Sequence, residues 1–177
     1  ISFLFSILSI FFYSFEKPFI AKLSIEGIIN TESQFLNELK KIEKSSNFKG
    51  LLVIINSPGG TFVSSKEIYD SLKILNKKIP VAIYMKEVAT SGAYMVSLGA
   101  NKIFANSGTI TGSVGVILQT AEITGLLNKL GITPLIIKSG ELKAVPNPFE
   151  KSDREQIDFI KDVVLEMQKD FISLVQS

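Results

Sequence analysis

The sequence predicts an α/β fold, a mostly parallel sheet with helices packed outside it. Continuous apolar runs rich in β-branched residues, such as Leu51-Leu52-Val53-Ile54-Ile55, have the pattern of strands buried on both faces. Stretches with apolar residues at helical spacing alternate with these runs. The resulting order of strand, helix, strand, helix, strand, helix implies right-handed βαβ units, because parallel neighbours need a crossover between them.

Residues 21–27 alternate apolar and polar side chains and predict the first strand. Thr31-Glu32-Ser33-Gln34 is a capping-box pattern that opens a helix with Phe35, Leu36, Leu39 and Ile42 on one face. Gly50 closes the next loop, and the run 51–55 is the second strand. Asn56-Ser57-Pro58-Gly59-Gly60 follows it as a turn. Pro58 fixes φ, and the paired glycines permit backbone conformations that other residues resist. A helix over residues 61–76 turns Ile68, Leu72 and Leu75 inward, and Pro80 starts the strand Val81-Ala82-Ile83-Tyr84-Met85.

The rest of the chain is read the same way. Residues 101–105 form a short strand, and 108–116 a turn and strand with close backbone contacts at the glycines. A helix over 120–130 ends at Gly131, and 132–137 is a further strand. Residues 138–150 hold one glycine and two prolines and form a long loop. Ser152-Asp153-Arg154-Glu155 caps the last helix, whose apolar positions are Ile157, Ile160, Val163, Val164, Met167, Phe171 and Leu174.

Composition narrows the function classes. At 177 residues with 46% hydrophobic and 20% charged side chains, the chain is long and apolar enough for one domain with a real core. A net charge of +2, with no basic run interleaved with aromatics, argues against a nucleic-acid partner. The absence of cysteine excludes a disulfide framework and a cysteine metal site. No metal or other cofactor is expected.

The chemistry concentrates in Val88-Ala89-Thr90-Ser91-Gly92-Ala93-Tyr94. Ser91 stands between a strand and a short helix of small residues. A helix start there offers free N–H groups and partial positive charge, which suits a nucleophile that develops negative charge nearby. The plainer reading makes Ser91 an N-cap, with Gly92 and Ala93 allowing close packing. Histidine and cysteine are both missing. A Ser-His-Asp triad is therefore impossible within this sequence, and the base for Ser91 must be a lysine, a carboxylate or an N-terminal amine.

Residues 1–15, ISFLFSILSIFFYSF, carry no charge. They fall short of the roughly 20 residues that span a bilayer. They have no polar face, and no small-x-small cleavage site follows them. They are expected to be the C-terminal part of a transmembrane anchor, with 16–177 the domain it carries. The last helix shows no stop signal, so that domain is expected to be truncated at its C-terminus.

Four motifs in this order resemble the signal peptide peptidase A (SppA) family, membrane-anchored Ser/Lys proteases of bacteria in the Clp protease/crotonase-like superfamily. They are Asn56-Ser57-Pro58-Gly59-Gly60, Ala89-Thr90-Ser91-Gly92-Ala93-Tyr94, Thr111-Gly112-Ser113-Val114-Gly115-Val116 and Lys138-Ser139-Gly140-Glu141-Leu142-Lys143. The resemblance covers nearly all of residues 20–177. It implies repeated β-β-α units behind an N-terminal anchor helix. It makes Ser91 the nucleophile and Lys143 the general base, with Ser113 orienting the lysine. The N–H groups of Gly60 and Gly92 become the oxyanion hole. One departure is Ala144, where the family often has aspartate after the base. The family also extends several dozen residues past this chain's end.

What the resemblance implies for function follows. The substrates are remnant signal peptides after secretion, the partners are the membrane and further copies in a homo-oligomer, and the catalytic domain sits on the extracytoplasmic side of the bacterial inner membrane. A lysine base needs its pKa brought from near 10.4 to about 7, which takes roughly 4–5 kcal/mol against the charged form. Burial can supply that, and Lys143 lies among Leu142, Ala144 and Val145. Lys138 is the rival base. The other readings are a stomatin-operon-type Ser/Lys membrane protease, a crotonase-like acyl-CoA enzyme and an inactive scaffold. The acyl-CoA reading is disfavoured because no acid follows Gly60 until Glu67.

Overall fold

The apolar runs become strands and the amphipathic stretches become helices in a computed structural model that describes residues 18–30, 33–45 and 47–176. Strands β1 (Phe19–Ile29), β2 (Phe48–Gly60), β3 (Val81–Thr90) and β4 (Lys102–Ala105) lie in that order, and β5 (Ile110–Gly112) also pairs with β3. Every pairing is parallel. The helices are α1 (Ser33–Lys44), α2 (Phe62–Leu75), α3 (Gly92–Ser97), α4 (Thr124–Lys129) and α5 (Arg154–Gln176).

Register shifts divide the long strands into two ladders. β1 and β2 slip between Glu26 and Ile28, at Gly27, and β2 and β3 slip between Ile55 and Ser57. β3 pairs with β4 through Ala82–Met85 but with β5 through Val88–Thr90. β1, β2 and β3 thus each run first in a principal ladder and then in a short second one. The turns that matter lie where the short ladder ends.

The principal ladder buries one face against α1, α2 and α3. Val53, Ile55, Ile83 and Leu72 are completely buried there, with Leu51, Val81, Met85, Leu39, Ile42, Ile68 and Val96 around them. Full burial of each such side chain contributes about 1.5–3 kcal/mol. Gly99 keeps α2 and α3 close: a Cβ there would sit 2.9 Å from the Leu72 Cβ. On β2 the expectation of burial on both faces gives way to alternation. Leu51, Val53 and Ile55 are buried while Leu52 and Ile54 are half-buried, because the described helices cover one face.

Three other expectations change. Residues 132–137 are not a strand: they have no ladder partner, Pro134 removes a donor, and Leu135 and Ile137 are 87% and 89% exposed. The helix expected over 120–130 shrinks to α4. It still ends at Gly131, whose φ of +68° lets the Ile132 N–H fold back onto the Leu127 carbonyl at 3.0 Å. At α5 the capping box sits one residue later than the motif suggests. The Gln156 N–H donates to Asp153 Oδ1 at 2.9 Å, and the Asp153 N–H donates to Gln156 Oε1 at 3.2 Å. The anchor expected over residues 1–15 and the Thr31-Glu32 half of the first capping box lie outside the described residues. Among the described residues no helix is long and apolar enough to cross a membrane.

Candidate active site

Ser91 is the first residue beyond the short ladder. Thr90 pairs with Gly112, and the Ser91 N–H extends that pairing by donating to the Gly112 carbonyl at 2.8 Å. The chain must then turn sharply into α3, whose first bond runs from the Met95 N–H to the Ser91 carbonyl at 2.9 Å. Ser91 makes that turn with φ 52° and ψ −122°. These are the angles of the first central residue of a type II′ turn, a place dominated by glycine. A non-glycine residue held there stores about 1–3 kcal/mol. The serine sits at the N-cap but its side chain makes no capping hydrogen bond. The N-cap reading therefore does not account for the hydroxyl.

Glycines bring the second wall against this turn. Gly59 has φ +99°, and a Cβ on it would lie 2.7 Å from both the Gly92 N and the Thr90 carbonyl oxygen. A Cβ on Gly92 would lie 2.1 Å from Ser65 Oγ and 3.2 Å from the Gly60 N. The Gly60 and Gly92 backbones are neighbours for that reason. Local bonds fix the arrangement. The Gly59 N–H donates to Ser57 Oγ at 3.0 Å, and Thr90 Oγ1 donates to the Pro58 carbonyl at 3.0 Å. The Thr61 N–H donates to the Ile29 carbonyl at 2.8 Å, and Ser65 Oγ donates to the Thr61 carbonyl at 2.8 Å.

Ser113 follows Gly112 on the neighbouring short strand, so the register sets it one residue past the ladder end, as Ser91 is on β3. It too has a positive φ, 55°. Ser91, Gly60, Gly92 and Ser113 all line one cleft of about 590 Å³. Its apolar lining comes from Phe62, Met95, Val114 and Phe171. Phe171 and Met95 are each 1% exposed and pack with Tyr69, which ties α5 to the site. The sequence marked Phe171 only as a core position of the last helix. It gave no sign that Ser65, a buried serine on a helix, would limit the room at Gly92.

Lys143 is not among the residues that line the cleft. It is exposed, in a turn closed by its own N–H donating to the Gly140 carbonyl at 3.0 Å, and Ala144 after it has φ 63°. The burial expected for it is not seen in the single chain, where only Lys138, residues 145–148 and Glu150 of this loop are half-buried. Lys138 is unsuited to the base role. Its Nζ lies 2.7 Å from Glu150 Oε1. That hydrogen bond raises its pKa; burial opposes the rise, and the charges of Glu150, Glu141 and Asp153 add to it.

The family model for peptidase family S49 matches residues 73–177, and the model for Clp protease matches residues 21–114. A candidate signal peptide peptidase SppA of Enterococcus faecium is 38% identical over 170 residues, which are 88% of this chain and 49% of that protein. The chloroplastic serine protease SPPA of Arabidopsis thaliana is 30% identical over 137 residues, 75% of this chain and 20% of that protein. The chain thus spans half or less of the length of these relatives. A solved mutant of the 1510-N membrane-bound stomatin-specific protease has the same fold, with a TM-score of 0.51, 23% identity, and coverage of 60% of this chain and 52% of that one. The S49 model alone covers more than half of the sequence, and with the Ser91 turn and its glycine wall in place, the chain belongs to peptidase family S49.

Proposed function

We propose that this chain is the catalytic part of a membrane-anchored serine endopeptidase that uses a Ser91/Lys143 dyad and degrades signal peptides left after secretion. The observation that carries the reading is the strained Ser91 turn, with a hydroxyl that caps nothing, in one cleft with Gly60, Gly92 and Ser113. The naming of the Enterococcus relative as a candidate signal peptide peptidase supports the substrate class. The uncharged residues 1–15 support an anchor. On this reading the domain stands on the extracytoplasmic face of the bacterial inner membrane and works as a homo-oligomer.

In the proposed reaction neutral Lys143 Nζ takes the proton of Ser91 Oγ as that oxygen attacks the scissile carbonyl. The N–H groups of Gly60 and Gly92 receive the charge on the carbonyl oxygen, and Ser113 Oγ accepts a hydrogen bond from the ammonium that forms. The ammonium then protonates the leaving amine, and water releases the acyl group from Ser91. The apolar lining suits a peptide with apolar side chains. The loop 138–150 must bring Lys143 to Ser91 for this to occur, and the lysine must lose its water there.

The test is labelling of the intact protein with a serine-reactive fluorophosphonate, alongside cleavage of an apolar peptide. Labelling and cleavage should both vanish in Ser91→Ala. Cleavage should vanish in Lys143→Ala and persist in Lys138→Ala. Labelling that survives Ser91→Ala, or cleavage that survives Lys143→Ala, overturns the dyad. A parent protein that neither labels nor cleaves overturns the enzyme reading in favour of a scaffold.

A further inference from the structure

We propose that the end of the sheet opposite the cleft is a docking surface for an anionic phospholipid bilayer. This deepens the membrane part of the reading above and does not depend on Ser91. Because the ladders are parallel, β1, β2, β3 and β4 start at one end of the molecule, and β2 and β3 finish at the other, beside the cleft. The starting end collects lysines. Lys44 ends α1, Lys49 opens β2, Lys77 and Lys78 form the turn after α2, and Lys102 opens β4. Lys22 shares a register row with Leu52, Ala82 and Lys102. All six lysines are exposed.

Two acids share this neighbourhood: Glu43 pairs with Lys78, one of the six, at 2.7 Å, and Glu38 pairs with Lys41 at 2.7 Å, so the lysines of this end outnumber these acids. The whole chain has a formal net charge of only +2. The lysine end therefore carries an excess that the rest of the molecule offsets. Charge of this kind, on short loops at one end, attracts an anionic surface as a group.

Apolar groups sit at the same end, where the chain enters. Phe19 packs edge-on against Phe48, with ring centroids 4.5 Å apart, and stays 46% exposed; Ile20 is 70% exposed. Residues 1–15, which carry no charge, precede this corner in the sequence, with Glu16, Lys17 and Pro18 between. A bilayer is the partner that accepts both features together, with headgroups for the lysines and an interface for the aromatic edge. Docked this way, the catalytic cleft opens away from the bilayer. The substrate is then a peptide released from the membrane plane.

The test is flotation of the full chain with vesicles of phosphatidylcholine alone and of phosphatidylcholine with one quarter phosphatidylglycerol. The parent should bind the anionic vesicles more tightly, and the difference should shrink between 0.05 and 0.5 M salt, as the screening length falls below about 10 Å. Replacing Lys44, Lys77 and Lys102 by glutamine should remove most of the difference, on the order of fivefold per lysine. Replacing Lys151, Lys161 and Lys169 should leave it. Circular dichroism reports whether each variant folds, and peptide cleavage by the first variant should match the parent. Equal binding to both vesicles, or an equal loss in both triple variants, overturns the proposal. Cleavage that fails in the parent while the lipid preference holds counts against the protease reading and leaves the docking surface standing.

Discussion

Ser91→Gly should make the protein more stable than Ser91→Ala, while both abolish catalysis. At φ 52° and ψ −122° a Cβ is unfavourable by about 1–3 kcal/mol, and alanine keeps that penalty. Glycine relieves it but gains freedom in the unfolded chain, which offsets about 0.4–1 kcal/mol. The difference between the two variants should be about 0.5–2 kcal/mol in favour of glycine. For a domain of this length that is a rise in Tm of roughly 1–8 °C. The Ser91 side chain makes no capping bond, so Ser91→Ala itself should sit near the parent. Urea unfolding followed by circular dichroism measures both variants. A Ser91→Gly protein no more stable than Ser91→Ala would show that the turn is not held against its own preference, and the case for a serine retained for chemistry would fall with it.

Other expectations concern the walls of the site. Gly60→Ala places a Cβ 1.9 Å from the Ile29 carbonyl oxygen, which is backbone and cannot step aside; stability should drop by about 3 kcal/mol or more, seen as an earlier urea midpoint. Phe171→Ala empties a site that is 1% exposed beside Met95 and Tyr69. It should cost about 3–5 kcal/mol and raise KM for an apolar peptide more than it lowers kcat. The Lys138–Glu150 pair holds the lysine pKa above its usual 10.5 in the folded chain. Its contribution is present below that unfolded value and is lost as pH rises through the raised one. The stability gap between the parent and Glu150→Gln should therefore narrow from pH 10 upward, and a gap that widens there would refute the pairing.

The serine half of the site was legible in the sequence because its cause is local. Gly59, Gly60 and Gly92 must be glycine since backbone or Ser65 fills the space a Cβ would take, and such turns announce themselves as residue types. Parallel strands were legible for a similar reason, since runs such as 51–55 cannot stay in water. Two signals misled. Apolar residues at 132–137 suggested a strand, but a strand needs a partner, and the described residues supply none. The register slips at Gly27 and Asn56, which create the short ladder and so set Ser113 beside Ser91, have no counterpart in an apolar pattern. The setting of Lys143 was least legible, because burial of a loop lysine depends on what covers the loop rather than on its own neighbours in sequence.

That dependence leads to the last expectation. A lysine that serves as a base near neutral pH must be kept out of water, against about 4–5 kcal/mol in favour of its ammonium. Lys143 is exposed in the single chain, and so are apolar residues along the preceding segment, with Leu135 at 87%, Ile137 at 89% and Leu142 at 39%. A second copy laid over that segment would cover the apolar side chains and dry the lysine in one step. If assembly supplies the desolvation, cleavage per chain should rise with protein concentration and level off once sedimentation shows the oligomer complete. The ascending, acidic limb of the pH–rate profile, where the base loses its proton, should move toward neutrality over the same range. Full activity from dilute monomer, still abolished by Lys143→Ala, would mean that the loop closes over Ser91 within one chain. Assembly would then have no part in lowering the lysine pKa.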